Sequence, residues 1–128
     1  MRVIAAAIER DGKVLIGKRR KDEKRFANKW EFPGGKCEDG ETDEECLVRE
    51  LFEECRVRIE VNRLIDSNVH NYNGLEVRLF LYHCTADTDN ISSLDHDELK
   101  WVEVEKLRAY DFLEADLPLL PVVVNYFS

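Results

Sequence analysis

The run Arg49-Glu50-Leu51-Phe52-Glu53-Glu54 sets three carboxylates and a guanidinium at helical spacing. At about 100° per residue, Glu50, Glu53 and Glu54 fall within an arc of roughly 100° on one helix face. Like charges so placed repel by roughly a few tenths of a kcal/mol per pair. The C-terminal half of a helix also disfavours anions through its macrodipole. A chain shaped by folding alone has little reason to collect them, and a divalent cation supplies one. Mg²⁺ prefers oxygen ligands and keeps several waters, so a few clustered carboxylates suit it, with Mn²⁺ as the alternative ion. Upstream, Lys18, Arg19, Arg20, Lys21, Lys24, Arg25 and Lys29 form a basic cluster. It reads either as a solvated loop or as cations facing a phosphate chain whose remaining charge the metal neutralises.

A helix must hold these groups, and the sequence marks one. Thr42 with Glu45 three residues on forms a capping box, which starts the helix near Asp43. Leu47, Val48, Leu51 and Cys55 make an apolar stripe predicted to face the core, roughly opposite Glu53 and Arg49. Before the helix, residues 3–8 and 13–18 read as strands joined by Asp11-Gly12. A short strand at 30–32 ends at Pro33-Gly34-Gly35. After the helix, residues 57–65, 68–72 and 76–84 read as strands, the last two joined by Asn73-Gly74. A polar loop over 87–98 leads to a short strand at Trp101-Val102, then a small helix over 103–109. An apolar helix lies between Leu117 and Tyr126, its start blurred by Pro118 and Pro121. The alternation predicts an α/β fold in a single domain over residues 1–128.

Composition narrows the function classes. With 44% hydrophobic and 36% charged residues, the chain has the balance of a globular domain. A net charge of −8 argues against a nucleic-acid polymer as partner, but not against a small anionic ligand held locally. No apolar run approaches the ~20 residues of a membrane span. The apolar N-terminal stretch is too short for a signal peptide and runs on into the second strand. Cys37, Cys46, Cys55 and Cys84 show neither metal-knuckle spacing nor a disulfide framework. They read as reduced, structural thiols in a cytoplasmic protein, either a monomer or a homodimer.

From Gly35 to Val57 the chain resembles the signature box of the Nudix hydrolases, carried here by Gly35, Glu41, Arg49, Glu50, Leu51, Glu53, Glu54 and Val57. Arg56 stands where that pattern has glycine. The glycine would allow a left-handed residue at the helix end, and an arginine forced there costs about 1 kcal/mol. The lead-in from Ala27 to Lys36 is similar to the MutT-like branch. The stretch from Tyr110 to Leu120 is similar to the tail of pyrophosphohydrolases acting on (deoxy)nucleoside triphosphates, including a CTP-preferring group. The resemblance implies an α/β/α sandwich with a central mixed β-sheet. It further implies Mg²⁺-dependent hydrolysis of such a triphosphate to the monophosphate and pyrophosphate, in nucleotide-pool sanitation that protects DNA. A triphosphate's oxygens repel an incoming water, so hydrolysis needs cations that neutralise them.

By the same resemblance, Glu50 and Glu54 are metal ligands, Glu53 shares the site, and the Gly34 carbonyl adds an oxygen. Arg49 orients the glutamates by charge-assisted hydrogen bonds, and Glu41 braces the loop. The general base is Glu53 or an acid in the later loop. Counting six residues back from Trp101 gives Asp95, with Asp97 and Glu98 as substitutes; His96 is expected to be exposed. Asp116 falls where the family hydrogen-bonds the nucleobase. An ionised carboxylate only accepts hydrogen bonds, which suits a guanine-type edge, or cytosine if its ring nitrogen is protonated. Asp116 reads equally as a helix cap. Trp30 and Phe32 either stack near the base or fill the core, while Arg20, Arg25 and Lys36 are phosphate contacts by position. The alternatives are a hydrolase of ADP-ribose or a dinucleotide polyphosphate, or a silent nucleotide sensor, against which the intact glutamates stand.

Overall fold

Alternate residues of the first strand bury on opposite sides, and this sets the architecture. In the computed structural model, which describes residues 1–88, 90–93 and 95–128, strand β1 (Arg2–Arg10) sends Ala5 and Ala7 into one apolar cluster and Ile4, Ala6 and Ile8 into another. A strand apolar on both faces needs cover on both. Helix α1 (Asp43–Cys55) brings Cys46, Leu47, Leu51 and Cys55 to the second cluster. Helix α2 (Leu120–Tyr126) brings Leu120 and Val123 to the first. The result is an α/β/α sandwich.

The sheet between the helices is mixed. Strand β1 runs antiparallel to β2 (Lys13–Arg19) and parallel to β6 (Leu75–Ala86). The order is β3-β2-β1-β6-β5, with β3 (Trp30–Glu31) and β5 (Ile59–Tyr72) at the ends. Strand β4 (Gly34–Gly35) pairs with β1, and β7 (His96–Glu103) pairs with β2. Gly34 is required by this closeness, because a Cβ there would run into the Ile4 carbonyl.

Several sequence expectations change. Residues 57–65 and 68–72 are not two strands: β5 runs unbroken, and the polar Asp66-Ser67 step is absorbed by register shifts between Val61 and Arg63 and between Leu64 and Asp66. Strand β7 begins at His96, inside the expected loop, because its polar residues still pair along β2. The segment after it is a 3₁₀ helix, Val104–Ala109, and a second 3₁₀ turn, Leu117–Leu119, precedes α2.

Helix α1 starts where the capping box places it: Thr42 Oγ accepts from the Glu45 amide at 3.1 Å and Glu45 Oε1 from the Thr42 amide at 2.9 Å. It ends at Arg56, which adopts the left-handed conformation (φ 54°) despite its side chain. Val48 leaves the predicted stripe and is 40% exposed. At about 100° per residue, buried Cys46, Leu47, Leu51 and Cys55 span roughly 180°, and Val48 falls just beyond one edge. Glu50 and Glu54 fall inside that arc, while Glu53 falls just beyond the other edge. The cysteines also depart from the reduced state expected. Cys37 and Cys46 form a disulfide, because the loop after Gly35 folds back over the helix and brings the two Cα atoms to 5.1 Å. Cys55 and Cys84 are free and buried.

Candidate active site

The position of each glutamate on the buried arc of α1 decides its environment. Glu50 and Glu54 line a cleft of about 1040 Å³ that runs past β4 to Leu113, Ala115 and Asp116. Glu53 is about half exposed and lies outside that lining. The carboxylates predicted to share one face therefore divide, two inward and one at the rim.

Arg49 ties them together. Its Nε and Nη2 grip Glu41 at 2.7 and 2.9 Å, and its Nη1 donates to Glu50 at 3.0 Å and Glu53 at 2.8 Å. Nη2 also reaches the Lys36 carbonyl at 3.3 Å. The Arg49 bond, with help from the Glu38 amide, holds the Glu41 carboxyl down at about 2. Glu41 thus braces the loop and never enters the cleft lining. Gly35 makes room for the arrangement, since a Cβ there would lie 2.6 Å from the Glu50 carboxylate.

Glu54 is the unbalanced member. Burial first, then the neighbouring Glu50 carboxyl and the charges of Glu31 and Asp95, push it up to about 10. Among the described residues, its Oε2 is enclosed with no hydrogen-bond partner. A buried acceptor left unpaired costs free energy, and here like charges surround it. The donor set is all oxygen, so a hard divalent cation fits it and would reverse the sign of the local field. Among the described residues, Cys37, Glu41 and Cys46 also bring ligand atoms within 4.8 Å of one another. That grouping is a disulfide plus a carboxylate already held by Arg49, so it offers a cation little.

Of the candidate bases, Asp95 lines the cleft. Asp97 instead accepts the Lys21 amide at 3.0 Å, and Glu98 sits opposite Lys18 in the β2–β7 ladder; neither lines the cleft. His96, expected to be exposed, is buried, with Nε2 at 2.9 Å from Glu31.

At the far end stands Asp116, only 4% exposed. It does not cap the following turn: its Oδ2 accepts from the Phe32 amide at 3.1 Å instead. Burial pushes its carboxyl up to about 8, against the pull of the Phe32 amide. That direction favours the protonated form, a state the acceptor-only reading leaves out. Phe32 is buried against Phe112 with ring centroids 5.3 Å apart and still lines the cleft, whereas Trp30 is buried edge-on against Tyr110. Arg20, Arg25 and Lys36 line the cleft as well. Arg20 forks onto Asp22, and the Arg25 guanidinium lies over the Phe26 ring.

Sequence reasoning missed Glu31, His96 and Tyr72 as cleft residues. Tyr72 stands beside the Asp116 end, its Oη accepting the Ala115 amide at 2.7 Å and its ring 4.5 Å from Phe26. Glu31 was readable only as part of the Trp30-Glu31-Phe32 lead-in. Its partner His96 arrives through the β2–β7 ladder, a long-range pairing with no local signal.

Residues 1–123 match the family model of the NUDIX domain. The CTP pyrophosphohydrolase of Escherichia coli (strain K12) is 36% identical over 92% of this chain and 87% of its own length. The 8-oxo-dGTP diphosphatase of the same organism is 27% identical over 94% of this chain and 93% of its own. Among solved structures, the MutT NUDIX hydrolase from Burkholderia pseudomallei superposes with a TM-score of 0.83 at 28% identity, over 95% of this chain and 96% of that one.

Proposed function

The chain belongs to the NUDIX family, and from that premise we propose that it hydrolyses a (deoxy)nucleoside triphosphate to the monophosphate and pyrophosphate. The observation that carries this reading is one cleft with the Glu50 and Glu54 carboxylates at one end and the buried Asp116 at the other. A nucleotide has the same two ends, a polyanion and a base.

Glu50 and Glu54 hold the divalent ion, Mg²⁺ or Mn²⁺, with the Gly34 carbonyl adjoining. When bound, the ion neutralises phosphate oxygens and lowers the pKa of the attacking water. Arg49 keeps Glu50 and Glu53 aligned through its shared Nη1. Glu53 at the rim or Asp95 within the cleft accepts the proton from the attacking water. Arg20, Arg25 and Lys36 face the phosphate chain, and the Phe32 ring forms an apolar wall beside the base.

Asp116 selects the base. In its neutral form, with Oδ2 accepting from Phe32, the carboxyl has one O–H to donate. A donor next to an acceptor matches the N3 acceptor and amino group of unprotonated cytosine. In its ionised form the same group accepts only, and matches the paired N–H donors of a guanine-type base. A neutral Asp116 thus favours cytosine triphosphates and an ionised one guanine-type triphosphates, with the balance moving toward the second as pH rises. The test is a panel of ordinary and oxidised nucleotides, assayed for released pyrophosphate with Mg²⁺, with Mn²⁺ and with chelator. Pyrophosphate from a triphosphate that vanishes with chelator supports the activity; orthophosphate as the product, or an inert panel, refutes it.

A further inference from the structure

We propose that His96 is a positioning residue that holds Glu31 and, through the Ser93 hydroxyl, Asp95, and so fixes the acidic wall around Glu54. The inference rests on the hydrolytic reading above and adds a residue to it.

The imidazole is 2% exposed and lines the cleft. Its Nε2 lies 2.9 Å from Glu31 Oε2, while Arg19 Nη1 donates to Glu31 Oε1 at 3.2 Å. Both oxygens of Glu31 are thereby held from below. On the other side of the ring, Ser93 Oγ lies 3.4 Å from Nδ1 and accepts the amides of Asp95 and His96 at 3.1 and 3.0 Å. A hydroxyl that already accepts twice offers its proton to Nδ1, which leaves Nε2–H as the donor to Glu31. Strand pairing brings the parts together: Gly17 lies opposite Glu31 in the β2–β3 ladder, and Arg19 opposite His96 in the β2–β7 ladder.

Gly17 shows how closely the ring is seated. A Cβ on that residue would come within 2.6 Å of His96 Cδ2 and 2.8 Å of Nε2. Glycine weakens a strand interior and often marks where another group must approach the backbone. Here that group is the imidazole. Glu31 and Asp95 both line the cleft, and both act on Glu54 by charge. Each is an acid that drifts from its neighbours by repulsion unless something restrains it. His96 bonds directly to the first and shares a hydroxyl anchor with the second. Outer groups that fix the surroundings of a metal site are worth roughly 10–100-fold in activity, and His96 fixes two acids that act on Glu54.

The experiment uses the full chain and the best nucleotide of the panel. His96→Phe keeps the ring but removes the donor, and kcat should fall roughly 10–100-fold with KM little changed. His96→Gln, whose amide can still donate to Glu31, should recover most of that loss. Gly17→Ala removes no polar group but displaces the ring, and should lower kcat as His96→Phe does. In a Glu31→Gln background, His96→Phe should add little further loss, because residues that act as one unit are not additive. Melting temperatures establish which variants are folded, and Gly17→Ala and Glu31→Gln carry the test if His96→Phe is not. Unchanged kcat in the folded variants, no recovery with Gln, or full additivity with Glu31→Gln would overturn the proposal. A wild type inert on the whole panel would sink the hydrolytic reading and this inference with it, and is distinguishable because it appears before any variant is made.

Discussion

Glu54 and Asp116, the first half-buried and the second buried, stand at opposite ends of one cleft, and both carboxyls are pushed far above the ordinary range. For both, burial is the first cause. What differs is the company. Glu54 sits among Glu50, Glu31 and Asp95, with one oxygen enclosed and unpartnered. Asp116 has one backbone amide from Phe32 already on it, and the opposed charges of Glu31 and Arg19 act on it less than burial does. The first environment is corrected by a positive charge, the second by a hydrogen-bonding edge. An identical direction of shift thus marks two different sites, and the neighbours rather than the shift say which ligand each awaits.

Glu54→Gln is the harshest test of this contrast. It should cost about a thousandfold in kcat, the equivalent of about 4 kcal/mol, by stripping the ion's position. The metal-free variant should nonetheless melt higher than wild type, because it removes a carboxyl that must take up a proton to be enclosed. Added Mg²⁺ should raise the wild-type melting temperature and leave the variant's unmoved. If Mg²⁺ raises both equally, the cation does not sit at Glu54.

Glu53→Gln separates the rim from the interior. Loss of a general base costs roughly 100-fold or more, so turnover should collapse while metal-induced stabilisation persists. Near-wild-type turnover would hand the proton to Asp95.

Asp116→Asn probes the other end. Asn presents a donor beside an acceptor at every pH, so the variant should keep the wild-type ranking of bases at pH 7 and lose the change of ranking toward pH 9. Asp116→Leu should erase the ranking, with a loss of about tenfold on the favoured base. Stability carries a second signature. Asp116 keeps its proton to about pH 8 in the fold, while the unfolded value lies near 3.8. Between those values the folded state binds the extra proton, so each rise in pH weakens the fold. Chemical denaturation of wild type should show this decline, and Asp116→Asn should show less of it; equal slopes would return Asp116 to the ionised state.

The mildest change is Arg56→Gly. Relieving a left-handed non-glycine residue should raise stability by about 1 kcal/mol and leave kcat unaltered. A fall in stability would show that the Arg56 side chain, whose guanidinium lies over the Phe52 ring, outweighs its backbone strain.

The end of the cleft built by α1 was legible in the sequence because its parts lie within one helix and its preceding loop. Capping, charge spacing and apolar period are all local there. The period even contained the division of the glutamates, had the buried arc been drawn through Cys46 rather than Val48. The Asp116 end was scarcely legible. Phe32, Tyr72 and Asp116 meet through strand pairing and the turns before α2, and none is near another in the chain. His96 failed for a further reason: the polar run around it looked like loop, and nothing local said that it would pair with β2 and bury its ring over Gly17. The protonation of Asp116 was equally hidden, because burial is a property of the assembled fold and not of the residue.

The Cys37–Cys46 cross-link gives the cleft one stiff bank. It welds the strip that carries Lys36 to the helix that carries Glu50 and Glu54, so the two travel together or not at all. Whatever yielding a bulky nucleotide demands must come from the opposite shore, the basic stretch between β2 and β3, where Phe26 and Asn28 already bend the chain through positive φ.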